Sequence, residues 1–524
     1  MIKVRLDADT RPGGWTWSAG RWTRGNAFIE PFAHPLLEHV LAIRDDDSGA
    51  CVIVRERQAG DQSPLPGAAG PALVDADGYE RLLAAARTWP LSTTVLELGH
   101  ARARVRAGRT GVAPVYVTAT PDGLYGSWDL LDLRPQVDVT DLDPAEVVRW
   151  VSYLGHYSSA TIFRTVRRVT ERATATWTPR TGVSVTYPEP AEHATPRALR
   201  PGADPVGFFA DQLDLITARR PLDPDQLAVE LSGGLDSANV AASLASTLRT
   251  PARAAALIVE GAAGVQQRRR RKELLGALRL APDLELPIGE AYPFHPGGLR
   301  RTGTMFSPCD GTYAEATAQI YAHLAQAGVR CVATGIGGDE AMCLTAAERD
   351  AADTTWPVRP LPDYLGERCL PLLPHREADA APAPVLTYST LLGLACRSPE
   401  VMRHGLWPFS PLADPEALRL GESLPAAWRL RKRLLRERLG RLGLSDDVLH
   451  PTLNEQFGPA IEAAMRRDGI PLLRRYLRSG AILTEYGYLD RGRLLSACNR
   501  AEATGGAESL YRPLMLEAAL RSMQ

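Results

Sequence analysis

The stretch that most constrains this chain is LAVELSGGLDSANVAASLASTL, Leu227 to Leu248. An apolar strand pattern runs straight into Ser232-Gly233-Gly234-Leu235-Asp236-Ser237 and from there into a long alanine-rich helix. The glycines let the backbone turn sharply and approach an anion, while Ser232, Ser237 and the first helical N–H groups can donate to it. The string predicts a phosphate cradle. Asp236 would repel phosphate on its own, a contradiction that disappears if its carboxylate holds a Mg²⁺ bridging the phosphates. A serine cap and a glycine turn before an ordinary helix would account for the same letters without any ligand.

A second strand-like run, RCVATG, enters Thr334-Gly335-Ile336-Gly337-Gly338-Asp339-Glu340. By the same metal argument Asp339 is expected to face Asp236 across a triphosphate, each carboxylate holding a cation that pyrophosphate needs as a leaving group. A Walker A loop is excluded outright. It requires Gly-Lys-Ser/Thr, and lysine occurs only at Lys3, Lys272 and Lys432, the last two each following an arginine.

The string at Ser232 to Ser237 resembles the S-G-G-x-D-S signature of the PP-loop ATP pyrophosphatases, which form adenylates and release pyrophosphate. Among them are asparagine synthetases, β-lactam synthetases, lasso peptide cyclases and several tRNA-modifying enzymes. The turn at Thr334 to Glu340 resembles the second synthetase signature. The segment WPFSPLADPEALRLGESLPAAWRLRKRLLRERL, Trp407 to Leu439, is similar to the family's P-x-x-D-P, S-L-P and K-x-L-L-R-E elements, and SLYRPLMLEAALRS resembles the closing helix of the lasso cyclase branch. The resemblance implies ATP and Mg²⁺ as cofactors, Asp236 and Asp339 as metal ligands, and catalytic roles for both and for Lys432. It also implies nucleotide contacts at Leu231, Ser232, Gly233, Gly234, Asp236, Ser237, Val259, Thr334 and Gly335.

The 524 residues suggest two or more domains. Up to about residue 190, short strand patterns such as Ala50 to Glu56 and Pro114 to Thr120 alternate with turns. Beyond Asp204, helices alternate with short apolar strands, the rhythm of an α/β domain with a parallel sheet, and the region after Pro408 reads as helical. The expected class is α/β: a degenerate glutaminase-like αββα domain over 1–190, whose likeness rests on LYGSWDLLDL and TIFRTVRRV, a Pro-rich linker over 191–203, and a synthetase domain with C-terminal helices over 204–524. With 60 basic and 61 acidic residues, no global charge favours nucleic acid. Arg268 to Lys272 reads as a solvated helix face, with contact to an acidic partner or RNA as the functional alternative.

Seven cysteines without C-x-x-C pairs fit reduced thiols, and His34 and His39 lack a third ligand nearby. The start has no apolar targeting core and nowhere do 18 apolar residues run together, so a cytoplasmic protein without a membrane partner is expected.

Three departures from the family's pattern narrow the function. Met1 is followed by Ile2 and the first cysteine is Cys51, so glutaminase chemistry from an N-terminal thiol is not expected. Ile336 stands where asparagine synthetases carry glutamate and β-lactam synthetases tyrosine. Asn454 stands where the family's late catalytic lysine is expected, which leaves Lys432 and nearby arginines as substitutes, and Glu340, Glu455 or the substrate's phosphate as base. The resulting expectation is a lasso peptide macrolactam synthetase acting on a precursor peptide, with a leader-binding protein and a leader peptidase as partners. Its pocket is expected to include Tyr313, Glu315 and the segment 356–374. A synthetase acting on a small amino acid and a noncatalytic nucleotide-binding paralogue are the alternatives.

Overall fold

The computed structural model describes residues 1–61, 65, 70–352, 360–375, 378–453 and 455–524. The chain divides into two compact units, one formed by Met1–Glu146, His156–Glu192 and Glu377–Pro399, the other by Val147–Gly155, His193–Arg376 and Glu400–Gln524.

The first unit contains two seven-stranded sheets. Strand Ile2–Asp7 lies between Gly123–Ser127 and Ala27–Pro31, antiparallel to both, and its alternation buries Ile2, Val4 and Leu6 on one face. In the other sheet Ala50–Glu56 is buried along its whole length between Leu37–Arg44 and Thr93–Gly99. Helix Ala76–Thr88 is started by the Asp75 carboxylate, which accepts from the Gly78 N–H. It buries Tyr79, Leu83 and Ala86, at helical spacing, against Val40, Ile53 and Val95.

Residues 377–399 count with this unit, not with the continuous 204–524 domain that the sequence suggests. The buried Glu171 carboxylate accepts the N–H groups of Val385 (2.7 Å) and Leu386 (3.3 Å), and the Ala381 N–H donates to the Tyr157 carbonyl at 2.7 Å. Nothing in the local sequence of the segment signals those ties, because both partners lie about two hundred residues away. The reverse exchange involves 147–155, where Trp150 and Tyr153 stack on Arg512 at 4.2 and 4.5 Å.

The second unit is built on a five-stranded sheet in the order Asp283–Pro287, Arg253–Ile258, Leu227–Glu230, Cys331–Ala333 and Trp407–Phe409, all parallel. Helices Leu235–Thr247, Gly261–Ala277 and Ala314–Gln326 lie between the strands in sequence. Ala228, Ala255 and Val332 on the strands pack with Tyr321 and Leu324 of the last of these helices in one buried cluster. This is the α/β arrangement the sequence rhythm predicts. Among the described residues no helix is long and apolar enough to cross a membrane.

The arginine run departs from expectation. Its helix, Gly261–Ala277, exposes Arg268 and Arg269 but buries Arg270 and Arg271. With Gln267 and Leu274 these fall on the inward stripe of the helix, so the run is solvated at Arg268, Arg269 and Lys272 but not between them. Arg271 bonds the Leu231 carbonyl and the carboxylates of Asp283 and Glu285, tying the strand ends together. Removing Arg271 leaves Asp283 without its cation and the Leu231 carbonyl without its donor, while Glu285 keeps Arg268; Arg271→Met should lower the unfolding free energy by about 2 kcal/mol, read by urea denaturation. A change within error would show that the tie contributes nothing.

Candidate functional site

The candidate site lies where the parallel strands end at their carboxyl side, beside the two central neighbours Leu227–Glu230 and Cys331–Ala333, from which the sheet grows in opposite directions. Open α/β sheets bind ligands at such a switch point.

The first turn is held by its own serines. The Ser232 N–H donates to Ser237 Oγ at 3.2 Å, the Gly234 N–H donates to Ser232 Oγ at 3.2 Å, and the Ser237 hydroxyl donates to the Gly234 carbonyl at 3.1 Å. Gly233 has φ +92°, a backbone conformation that glycine adopts without strain. Leu231 and Val259 end the adjacent strands: the Leu231 N–H bonds the Ala255 carbonyl at 2.8 Å and the Val259 N–H bonds Gln267 Oε1 at 2.9 Å. The same Gln267 donates through Nε2 to the carbonyls of Ser232 and Leu257, both at 2.9 Å. No motif points to Gln267; its one signal in the sequence is a polar residue in phase with Arg271 and Leu274 on the buried stripe.

The second turn is brought against the first. Thr334 bonds Ser410 between hydroxyls at 2.8 Å and its N–H reaches the Phe409 carbonyl at 2.8 Å. Gly335 and Gly338 are required by closeness: a Cβ on Gly335 would lie 2.9 Å from the Ser237 nitrogen, and one on Gly338 only 2.3 Å from the Asp236 carboxyl carbon. Asp339 follows directly and is largely exposed.

Lys432 joins the two. Its Nζ lies 2.8 and 2.6 Å from the two oxygens of Asp236 and 2.6 Å from Asp339 Oδ1. The three residues expected to do chemistry therefore meet at one point. The sequence suggests one continuous helical run from Trp428 to Leu439, yet the chain breaks there. A short helix, Ala426–Arg429, is followed by Arg431 (φ 51°) and Lys432 (φ 55°), both left-handed, before helix Arg433–Arg441 begins. Two consecutive non-glycine residues in that region cost energy and persist only where the surroundings dictate them. Part of that fixation is visible: Arg438 of the second helix donates to the Asn239 carbonyl at 2.9 Å and to Ser243 Oγ at 2.7 Å, locking it on Leu235–Thr247.

Burial pushes the Asp236 carboxyl above the usual carboxylate range, against the opposing pull of Lys432. Burial also works against the Lys432 ammonium, but the carboxylates of Asp236 and Asp339 hold it above its ordinary value. Two acidic side chains thus converge on a point that already holds a cation, and their hard oxygen donors suit Mg²⁺. Among the described residues no group of three or more His, Cys, Asp or Glu is arranged for a metal, so phosphate oxygens would have to complete the shell.

Ile336 is partly buried and its N–H bonds Thr334 Oγ1 at 3.3 Å, so it offers no acid or base there. Asn454 lies outside the described residues, as do 353–359 and hence the start of the segment 356–374. Glu315 is fully buried in an ion pair with Arg300, which makes it part of the frame; it does not line an open pocket. Tyr313 donates to the Phe457 carbonyl at 2.6 Å.

A comparison with known families matches part of the chain. Residues 209–391 match the asparagine synthase family. That span carries both glycine-rich turns and both aspartates, and supports an asparagine synthetase-like enzyme that forms an amide bond with ATP; Lys432 and Glu455 lie beyond its end. A comparison with curated proteins returned no match.

Lys432→Met should destabilise the fold at pH 7.5 by about 2 kcal/mol, because it leaves a largely buried carboxylate without its cation. The sign with pH follows from Asp236. Its folded-state pKa, already raised, rises further, the folded state binds the extra proton, and the loss should be smaller at pH 5 than at pH 7.5. A loss that grows on acidification, in urea titrations at the two pH values, would contradict this pairing.

Proposed function

We propose that this protein is an ATP-dependent lasso peptide macrolactam synthetase. It adenylates an Asp or Glu side chain of a precursor peptide, releasing pyrophosphate; the peptide's N-terminal amine then attacks the acyl adenylate, its proton passes to a base such as the adenylate's phosphate, AMP leaves, and an isopeptide bond closes the ring. The observation that carries the adenylation step is the convergence of Asp236 and Asp339 on one cation beside the Ser232 turn. A Mg²⁺ held by these carboxylates would neutralise charge on the leaving pyrophosphate. The chain's own contribution is positional: the internal hydrogen bonds of Ser232, Gly234 and Ser237 fix the first turn, and the Thr334–Ser410 link fixes the second aspartate's turn.

Peptide over small amino acid is supported by what the site lacks. Ile336 cannot deprotonate an amine, so the proton has to pass to another group such as Glu340 or the adenylate's own phosphate, and a substrate that carries amine and carboxylate on one chain supplies the proximity. Free ammonia from glutamine is disfavoured at Cys51, whose thiol burial pushes up to about 12, leaving no thiolate at neutral pH. The two-sheet first unit is read as the glutaminase-like partner domain without that activity. A leader-binding protein and a leader peptidase would supply the trimmed peptide, in the cytoplasm.

The test is incubation with ATP, Mg²⁺ and a leaderless peptide bearing an acidic residue several positions from its amine. Loss of one water from the peptide by mass, with one AMP per product, is expected. Pyrophosphate release with only a small amino acid as acceptor would replace the peptide reading, and no ATP turnover with any acceptor would leave a nucleotide-binding paralogue. Asp236→Ala and Asp339→Ala should each cut AMP formation by about a hundredfold or more, with circular dichroism unchanged.

A further inference from the structure

Glu455 stands over the first turn. A Cβ built on Gly233 would lie 3.1 Å from Glu455 Oε1, and one on Gly234 3.8 Å from Oε2, so a carboxylate sits against the two glycines that form the anion cradle. Its partner is Arg270, whose Nη2 donates to Glu455 Oε1 at 2.5 Å. The Arg270 side chain is fully buried, and its Nε and Nη1 have no hydrogen-bond partner. A buried guanidinium with donors left over is expensive to keep, and a single carboxylate on one nitrogen does not use it up. The helix that carries it passes directly beside the turn, since the same Gly233 Cβ would lie 3.4 Å from Arg271 Cγ and 3.5 Å from the Gln267 carbonyl.

We propose that Arg270 is a binding residue for the phosphate end of ATP, and that the Glu455 carboxylate holds its place as an internal anion until nucleotide displaces it. The inference rests on the ATP reading of the site and adds a ligand to it. A polyphosphate carries more charge and more acceptor oxygens than one carboxylate, and can take up the Arg270 donors that Glu455 leaves idle. Glu455 lies on the non-helical stretch before helix Gly458–Ala464, which permits it to leave without unfolding a regular element. The price of the arrangement is affinity, because nucleotide has to compete with an anion tethered at the same spot.

Calorimetric titration of the full chain with MgATP, inorganic pyrophosphate and adenosine tests the exchange. Glu455→Gln should bind MgATP and pyrophosphate about three- to tenfold more tightly than wild type, by removing the competitor, while adenosine affinity stays unchanged. Arg270→Lys should weaken MgATP and pyrophosphate by about tenfold or more, the loss expected for bidentate charged hydrogen bonds reduced to a point charge. Wild-type protein that binds neither MgATP nor pyrophosphate would remove the ATP reading and the exchange with it. Wild type that binds both, together with a Glu455→Gln variant that binds them no better, or that gains equally for adenosine, would overturn the exchange alone. Glu455→Gln keeps the side chain's shape and an oxygen that can accept from Arg270, so the exchange is decided by that variant even if Arg270→Lys fails to fold.

Discussion

One ammonium group holds the candidate site together. Lys432 Nζ is shared by Asp236 on the first helix and Asp339 on the second turn, so two chain segments a hundred residues apart and a third a further hundred residues on meet at one cation. Without a cation, two carboxylates this close, one of them largely shielded from solvent, would repel each other and oppose the tight packing of Gly338 on Asp236. The left-handed pair Arg431–Lys432 is the conformational cost of delivering that charge. The net result is a cluster of two carboxylates around one ammonium.

Charge chemistry elsewhere in the unit is left to arginine. The buried ties use planar guanidinium groups: Arg271 to strand carbonyl and carboxylates, Arg300 to Glu315, Arg429 to the Cys343 carbonyl and Glu348. A guanidinium fork suits fixed, multiply bonded frames, whereas a compact ammonium can stand where a metal would and step aside. That one of only three lysines in the chain occupies this position is consistent with the division of labour.

Much of the site was legible in the letters. Glycine, serine and aspartate at fixed spacing after a strand have a backbone consequence that tertiary context rarely overrides, so Ser232 to Ser237 and Thr334 to Asp339 could be placed on strand ends and set facing each other. Lys432 was a candidate, but its geometry was hidden: WRLRKRLLRERL has unbroken helical spacing, and only packing against Leu235–Thr247 and attraction to the aspartates break it. Gln267, Arg270 and Arg271 were missed because a polar run on a helix reads as solvent-facing until its phase relative to the sheet is known. The glutamate pair of Arg270 lies nearly two hundred residues along the chain, beyond the reach of any local pattern. The same distance concealed the tie between Glu171 and the segment near Val385.

That tie has a consequence for how the chain can be made. The first unit closes on a segment that leaves the ribosome only after both glycine-rich turns and all but the last of the parallel strands have emerged. During synthesis the buried Glu171 carboxylate has the neighbouring Arg172 as its cation but not yet the Val385 and Leu386 amides, so this corner of the first unit is completed last. The hydrogen bonds that finish the first unit are thus made by a segment translated some two hundred residues after the carboxylate they serve.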